Sequence, residues 1–195
     1  MAEVMLYHHV QGLTDGVRSF ADELRHAGHR VHTPDLFDGR TFDTLEEGMD
    51  FARGAGFGAL AERGLAAAER TGPEAVYAGF SFGVTIAQQL AQTLPGARGA
   101  LLMYSCLPVS EFGEAWPEGV PVQVHGKEGD EFFLEDIDAA RALVDSSDDA
   151  ELFLYPGAEH LFADSSLPAY DFAAAALLTD RVLAFLDEAQ AIKKD

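Results

Sequence analysis

The chain has 195 residues, enough for one domain over 1–195 with a core that needs no disulfide or metal staples. Its 13 Lys and Arg stand against 33 Asp and Glu, and the net charge of -20 excludes the basic face of a nucleic-acid binder and argues against an anionic membrane surface. With 48% hydrophobic and 24% charged residues, the mixture is that of a globular protein in a solvated acidic shell. The single cysteine, Cys106, can form no internal disulfide. No secretion-like start and no apolar run of about 18 residues is present, so a cytoplasmic protein is expected.

Val4-Met5-Leu6-Tyr7 is a short apolar strand. Residues 14–27 carry Val17, Phe20, Ala21 and Leu24 at spacings of three and four, a helix that Thr14 or Asp15 can cap and Gly28 stops. A strand follows over 29–33 and ends at Pro34-Asp35. Residues 41–56 are acidic, then glycine-rich, and show no readable pattern. Gly54-Ala55-Gly56-Phe57-Gly58 lacks the preceding strand and the spacing of a phosphate loop, and reads as a flexible lid or a loop over the site. A helical pattern resumes over 57–70. Then come a strand at 75–78, a helix at 84–94, strands at 100–104 and 120–124, a helix at 131–144, a strand at 152–155 and a long helix at 169–189. Short apolar strands alternating with amphipathic helices predict an α/β protein, a three-layer αβα sandwich around a mostly parallel sheet. Ligands of such sheets sit beyond the carboxyl ends of the strands.

At one such end stands Gly79-Phe80-Ser81-Phe82-Gly83, the G-x-S-x-G pattern of a nucleophile elbow. The turn from strand to helix is sharp enough to strain the serine, and the glycines remove bulk that would collide with it. A glycine-lined turn with an idle serine is the bland alternative. A serine hydroxyl needs a base, and the order Ser, acid, His is met by Asp130 after the 120–124 strand and His160 after the 152–155 strand. In these roles His160 takes and returns the serine proton, while Asp130 fixes the imidazole tautomer. Asp130 can also cap the helix that follows, and Glu128 is a second choice of acid. The oxyanion donors are expected to be Phe82 N–H and, from the first loop, Val10 N–H with His9 as fallback, each worth about 3 kcal/mol. Activity is expected to fall at acid pH, where His160 takes up a proton.

With these residues in view, the chain resembles the dienelactone hydrolase family over nearly its whole length. The resemblance is carried by the loop at 4–12, Pro34-Asp35-Leu36-Phe37, the elbow, Gly126-Lys127-Glu128-Gly129-Asp130-Glu131-Phe132, Pro156-Gly157-Ala158-Glu159-His160-Leu161-Phe162-Ala163, the stretch 169–176 and the final helix. It implies an α/β-hydrolase fold with a shortened sheet, a monomer or weak homodimer, and no metal or cofactor. It also implies an esterase acting on small esters or lactones through an acyl-serine, with a thioesterase, a peptidase or a catalytically silent ligand-binding homologue as alternatives. Three departures matter. The family's type enzyme has cysteine where this chain has Ser81, an acidic residue about where His9 stands, and an arginine about where Asp164 stands. An aspartate facing the site would repel a dianionic substrate, so the fold and triad are carried over but the family's named substrate is not.

His8 and His9 are read as pocket-lining, and Phe80, Phe112 and Phe162, with Phe82 and Trp116, as an apolar acyl pocket. His26, His29 and His32 straddle Gly28 and lack the pattern of a zinc site, so no metal is assigned to them. Cys106 is read as buried and inert. An acidic interaction scaffold remains the non-enzymatic alternative.

Overall fold

The computed structural model describes residues 1–191. Six strands, β1 (Glu3–Tyr7), β2 (Arg30–His32), β3 (Val76–Phe80), β4 (Gly99–Met103), β5 (Val122–Lys127) and β6 (Ala150–Tyr155), form one sheet in the order β2-β1-β3-β4-β5-β6. Every pairing is parallel. All five residues of β3 and of β4 are buried, as expected for central strands covered on both faces.

Alternate strand residues feed two cores. Val4, Leu6, Val76, Ala78 and Met103 pack with α1 (Asp15–His26) and α6 (Phe172–Ala191), through Val17, Phe20, Leu178 and Val182. Met5, Tyr7, Tyr77, Leu102 and Val124 face α3 (Phe57–Ala68), α4 (Phe82–Thr93) and α5 (Glu131–Ser146), through Leu60, Ile86, Leu90 and Phe133. Among the described residues no helix is long and apolar enough to cross a membrane.

The unreadable stretch 41–56 holds a helix, α2 (Leu45–Ala55). Thr44 Oγ accepts Glu47 N–H at 3.2 Å, and Glu46 and Glu47 favour the start of the helix dipole. Its fully buried residues are only Gly48 and Ala52, with Leu45 and Phe51 partly covered by the two cores. Gly56, at φ 88, both ends α2 and opens α3. The expected flexible lid is therefore two helices meeting at a glycine. Two strand ends also run further than expected: β3 reaches Phe80, and β5 continues through His125 and Gly126 to Lys127.

Helix α4 packs against β1 and β3 at backbone distance. A Cβ on Gly83 would lie 2.4 Å from Tyr7 O, and one on Gly79 would lie 2.3 Å from Gly83 O. Gly83→Ala must push α4 away from β1. We expect a loss of about 2–3 kcal/mol in urea unfolding, or about 5–10 °C in Tm. Unchanged stability would mean that this contact yields freely.

Candidate active site

Ser81 sits at the junction of β3 and α4, at φ 50 and ψ -111. That is a left-handed backbone for a residue with a Cβ, costing about 1–3 kcal/mol. Its own bonds hold it there: Ser81 N–H donates to Met103 O at 2.7 Å, and Ser81 O accepts Val84 N–H at 2.8 Å. Among the described residues four non-glycines have positive φ, and three of them, Ser81, Tyr104 and Leu161, lie around the site. Ser81 and Tyr104 directly follow β3 and β4, where the chain turns sharply off the sheet, and Leu161 directly follows His160.

The structure brings the three predicted groups together. His160 Nε2 lies 3.0 Å from Ser81 Oγ, and His160 Nδ1 lies 2.6 Å from Asp130 Oδ2. Asp130 is 1% exposed and His160 9%. The carboxylate accepts, so Nδ1 carries the proton and the Nε2 lone pair faces the serine hydroxyl. The other carboxylate oxygen of Asp130 accepts Phe132 N–H at 3.1 Å and caps α5. One side chain thus both starts a helix and orients an imidazole. Glu128 is exposed and makes no bond to His160. The rings of Tyr104 and Phe132 flank His160, with centroids 5.6 and 4.9 Å away.

The loop bearing His160 is tied down from below. Lys127, with its side chain 1% exposed, places Nζ 2.7 Å from both Glu159 and Asp171. Burial alone would lower the lysine's pKa, but the two carboxylates outweigh it and raise it. The same pairing holds both carboxyls below their usual range. Two charges drawn to one buried cation fix the segment on either side of His160.

A cleft of about 420 Å³ opens over the serine. Val10, Ser81, Phe82 and His160 line it together with Met49, Phe57 and Ala61 from α2 and α3 and with Phe132, Glu135 and Asp136 from α5. Neither Val10 N–H nor Phe82 N–H has a hydrogen-bond acceptor among the described residues. Phe82 is the first residue of α4, where helical N–H groups are free by geometry.

Six residues expected in the pocket do not line it. Phe80 is 2% exposed and points to the other face, packing on Phe20. Phe162 is fully buried beneath Tyr104 and Tyr155. Phe112 is half-buried just beyond the short 3-10 turn at Val109–Glu111, away from the cleft. His9 is fully buried and bonded to Asp164 at 2.8 Å, and His8 is buried as well. Asp164 is only 3% exposed and faces His9, so it repels no substrate. Trp116 donates to Val120 O and belongs to the core. The aromatic residues in the cleft are Phe57, Phe82, Tyr104 and Phe132. Tyr104 and Ser105 directly follow β4, and that position was their available signal.

Cys106 is buried, and burial, aided by Asp136, pushes its thiol up to about 12, which leaves it unreactive. His26, His29 and His32 have separate partners, namely Asp22 O, Ala2 N–H and Glu3.

No curated protein matches the sequence. Among solved structures, dienelactone hydrolase from Anabaena variabilis ATCC 29413 aligns with TM-score 0.71 at 17% identity, covering 96% of this chain and 86% of that one. A dienelactone hydrolase-like promiscuous phosphotriesterase from metagenomic libraries aligns with TM-score 0.71 at 20% identity, with the same two coverages, 96% and 86%. A structure reported for the metagenome-derived lipolytic enzymes LipS and LipT aligns with TM-score 0.71 at 14% identity, covering 95% and 93%. These likenesses carry the α/β-hydrolase fold, with its sheet here of six parallel strands. The model of the dienelactone hydrolase family matches residues 2–190, nearly the whole of the sheet, its helices and the serine cleft, and the chain belongs to that family.

Proposed function

We propose that the protein is a serine hydrolase that cleaves small, uncharged carboxylic esters or lactones through an acyl-serine intermediate. The observation that carries this is the pair of bonds made by His160, one to Ser81 Oγ at 3.0 Å and one to Asp130 at 2.6 Å. Ser81 Oγ attacks the carbonyl carbon while His160 Nε2 takes its proton. The carbonyl oxygen becomes an oxyanion between Val10 N–H and Phe82 N–H. Collapse breaks the ester C–O bond, and His160 returns the proton to the departing alkoxide. Water then repeats the sequence on the acyl-serine, with His160 again as base. Every group in this scheme belongs to the chain itself, so it needs no metal or cofactor. A cytoplasmic monomer or weak homodimer of one domain completes the proposal.

The cleft supports the choice of uncharged substrates. Glu135 and Asp136 line it, and among the described residues no Lys or Arg does. An anionic acyl group enters a negative field with no compensating cation. With p-nitrophenyl butyrate and its analogue bearing a terminal carboxylate, we expect kcat/KM to be about tenfold higher for the neutral ester at low salt. Glu135→Gln should narrow that ratio. Equal rates for the two substrates would remove the charge argument.

The direct test of the mechanism is intact mass after fluorophosphonate treatment. Wild type should gain one phosphonyl adduct, located on Ser81. An unmodified protein under conditions that label a reference serine esterase would refute the proposed nucleophile.

A further inference from the structure

Two adjacent buried histidines, His8 and His9, follow β1, and the chemistry above uses neither. Their ring nitrogens are engaged in opposite senses. His8 Nδ1 lies 2.7 Å from His9 O, and a carbonyl only accepts, so this nitrogen carries the proton. His8 Nε2 then accepts Leu36 N–H at 3.0 Å. His9 is the other tautomer. Its Nε2 lies 2.8 Å from Asp164 Oδ2, a carboxylate that also accepts from Thr14 Oγ, Ser166 Oγ and Ser166 N–H. Burial disfavours that charge, but these bonds outweigh it and hold Asp164 below the usual range. His9 Nε2 is therefore the donor, and its free Nδ1 accepts Gln11 N–H at 3.2 Å.

Peptide geometry turns these bonds into a directional constraint. In a trans peptide the C=O and N–H point opposite ways. His9 O is drawn inward by His8 Nδ1–H and by Gly12 N–H at 3.0 Å. The N–H on the far side of that plane belongs to Val10, which lines the cleft. The next plane is fixed too: Gln11 N–H is held by the His9 ring, and Val10 O lies against α2, where a Cβ on Gly48 would come within 2.2 Å. Asp164 stands four residues beyond His160, so the same bond joins the Val10 loop to the His160 loop.

We propose that His8 and His9, the latter anchored on Asp164, are positioning residues that hold Val10 N–H as a preset oxyanion donor. This rests on the serine-hydrolase function proposed above. The bonds are spent before substrate arrives, and a donor already aimed needs no reorganisation as charge develops.

The test uses His8→Gln, His8→Asn and Asp164→Asn, each rated per active site after fluorophosphonate titration, so that misfolded protein does not count. Asparagine at position 8 keeps a donor near the Nδ1 position, and glutamine does not. We expect His8→Gln to lower kcat about 10–100-fold with KM changed less than about threefold. A trifluoromethyl ketone, which forms a tetrahedral adduct, should bind more weakly by the same factor as the loss in kcat/KM. His8→Asn should recover most of both. Asp164→Asn should follow His8→Gln in direction, and it supplies the comparison if His8→Gln does not fold. Unchanged kcat and ketone affinity in the folded variants, with an active wild type, would overturn the clamp alone. So would a loss of rate with ketone affinity intact. A wild type that forms no acyl-serine would sink the hydrolase function itself, and the clamp's role with it.

Discussion

Ser81→Ala should fold like the parent protein and lose about 10⁵-fold or more in kcat. The fold is expected to survive because the hydroxyl carries none of the backbone bonds that set the elbow. Those are Ser81 N–H to Met103 O and Val84 N–H to Ser81 O, and both persist in alanine. The Oγ has one partner, His160, so little stability is lost with it. Alanine also keeps a Cβ at φ 50 and therefore keeps the strain. On the proposed mechanism the rate is lost with the one hydroxyl that His160 activates. Thr85 and Ser105 line the cleft, but Ser105 donates to Asp136 at 2.6 Å and neither bonds to His160. Ser81→Gly separates the two effects. Glycine accepts positive φ freely, so it should be as inactive as alanine yet more stable by about 1 kcal/mol. The checks are kcat with a neutral ester, fluorophosphonate labelling by intact mass, and urea unfolding. An alanine variant that keeps a tenth of the wild-type rate would show that another group carries the reaction.

What could be read from the sequence follows from how local each constraint is. The elbow was legible because its demand is purely local. Gly79 and Gly83 lie where a Cβ would meet backbone at 2.3 and 2.4 Å, and a short motif records that collision. Asp130 and His160 were legible because a parallel sheet sends every strand end to one edge, and the order of elements then does the work of coordinates. Helix α2 was not, because Gly48 and Gly54 stand inside it and glycine is a weak helix former. Its packing needs glycine at 48, where a Cβ would lie 2.2 Å from Val10 O, so the residue that seats the helix is one that argues against it in sequence. The acyl-pocket aromatics were misplaced as well. Phe80 is the last residue of β3, and its side chain takes the sheet face turned to Phe20, away from the cleft. The His9–Asp164 bond spans 155 residues between two loops, and no periodicity registers it. Identity alone suggested a charge facing the substrate, whereas the structure shows that charge consumed inside the protein.

Asp130→Asn tests whether the acid works through the tautomer or only through the fold. Asparagine is nearly the same size and is an equally good N-cap, so its oxygen can still accept Phe132 N–H, as Asp130 does at 3.1 Å. Stability should stay within about 0.5 kcal/mol of wild type, whereas Asp130→Ala should lose about 1 kcal/mol with the cap. The other arm of the amide then presents N–H to His160 Nδ1, where the carboxylate accepted at 2.6 Å. Two donors cannot face each other, so Nδ1 must give up its proton and Nε2 must take one. The protonated Nε2 faces Ser81 Oγ, 3.0 Å away, and can no longer accept from it. The imidazolium formed during attack also loses its adjacent negative charge. We expect kcat to fall about 10⁴-fold with KM little changed. A stable Asp130→Asn protein working within tenfold of wild type would mean that His160 keeps its tautomer without the carboxylate. Asp130 would then be a helix cap and nothing more.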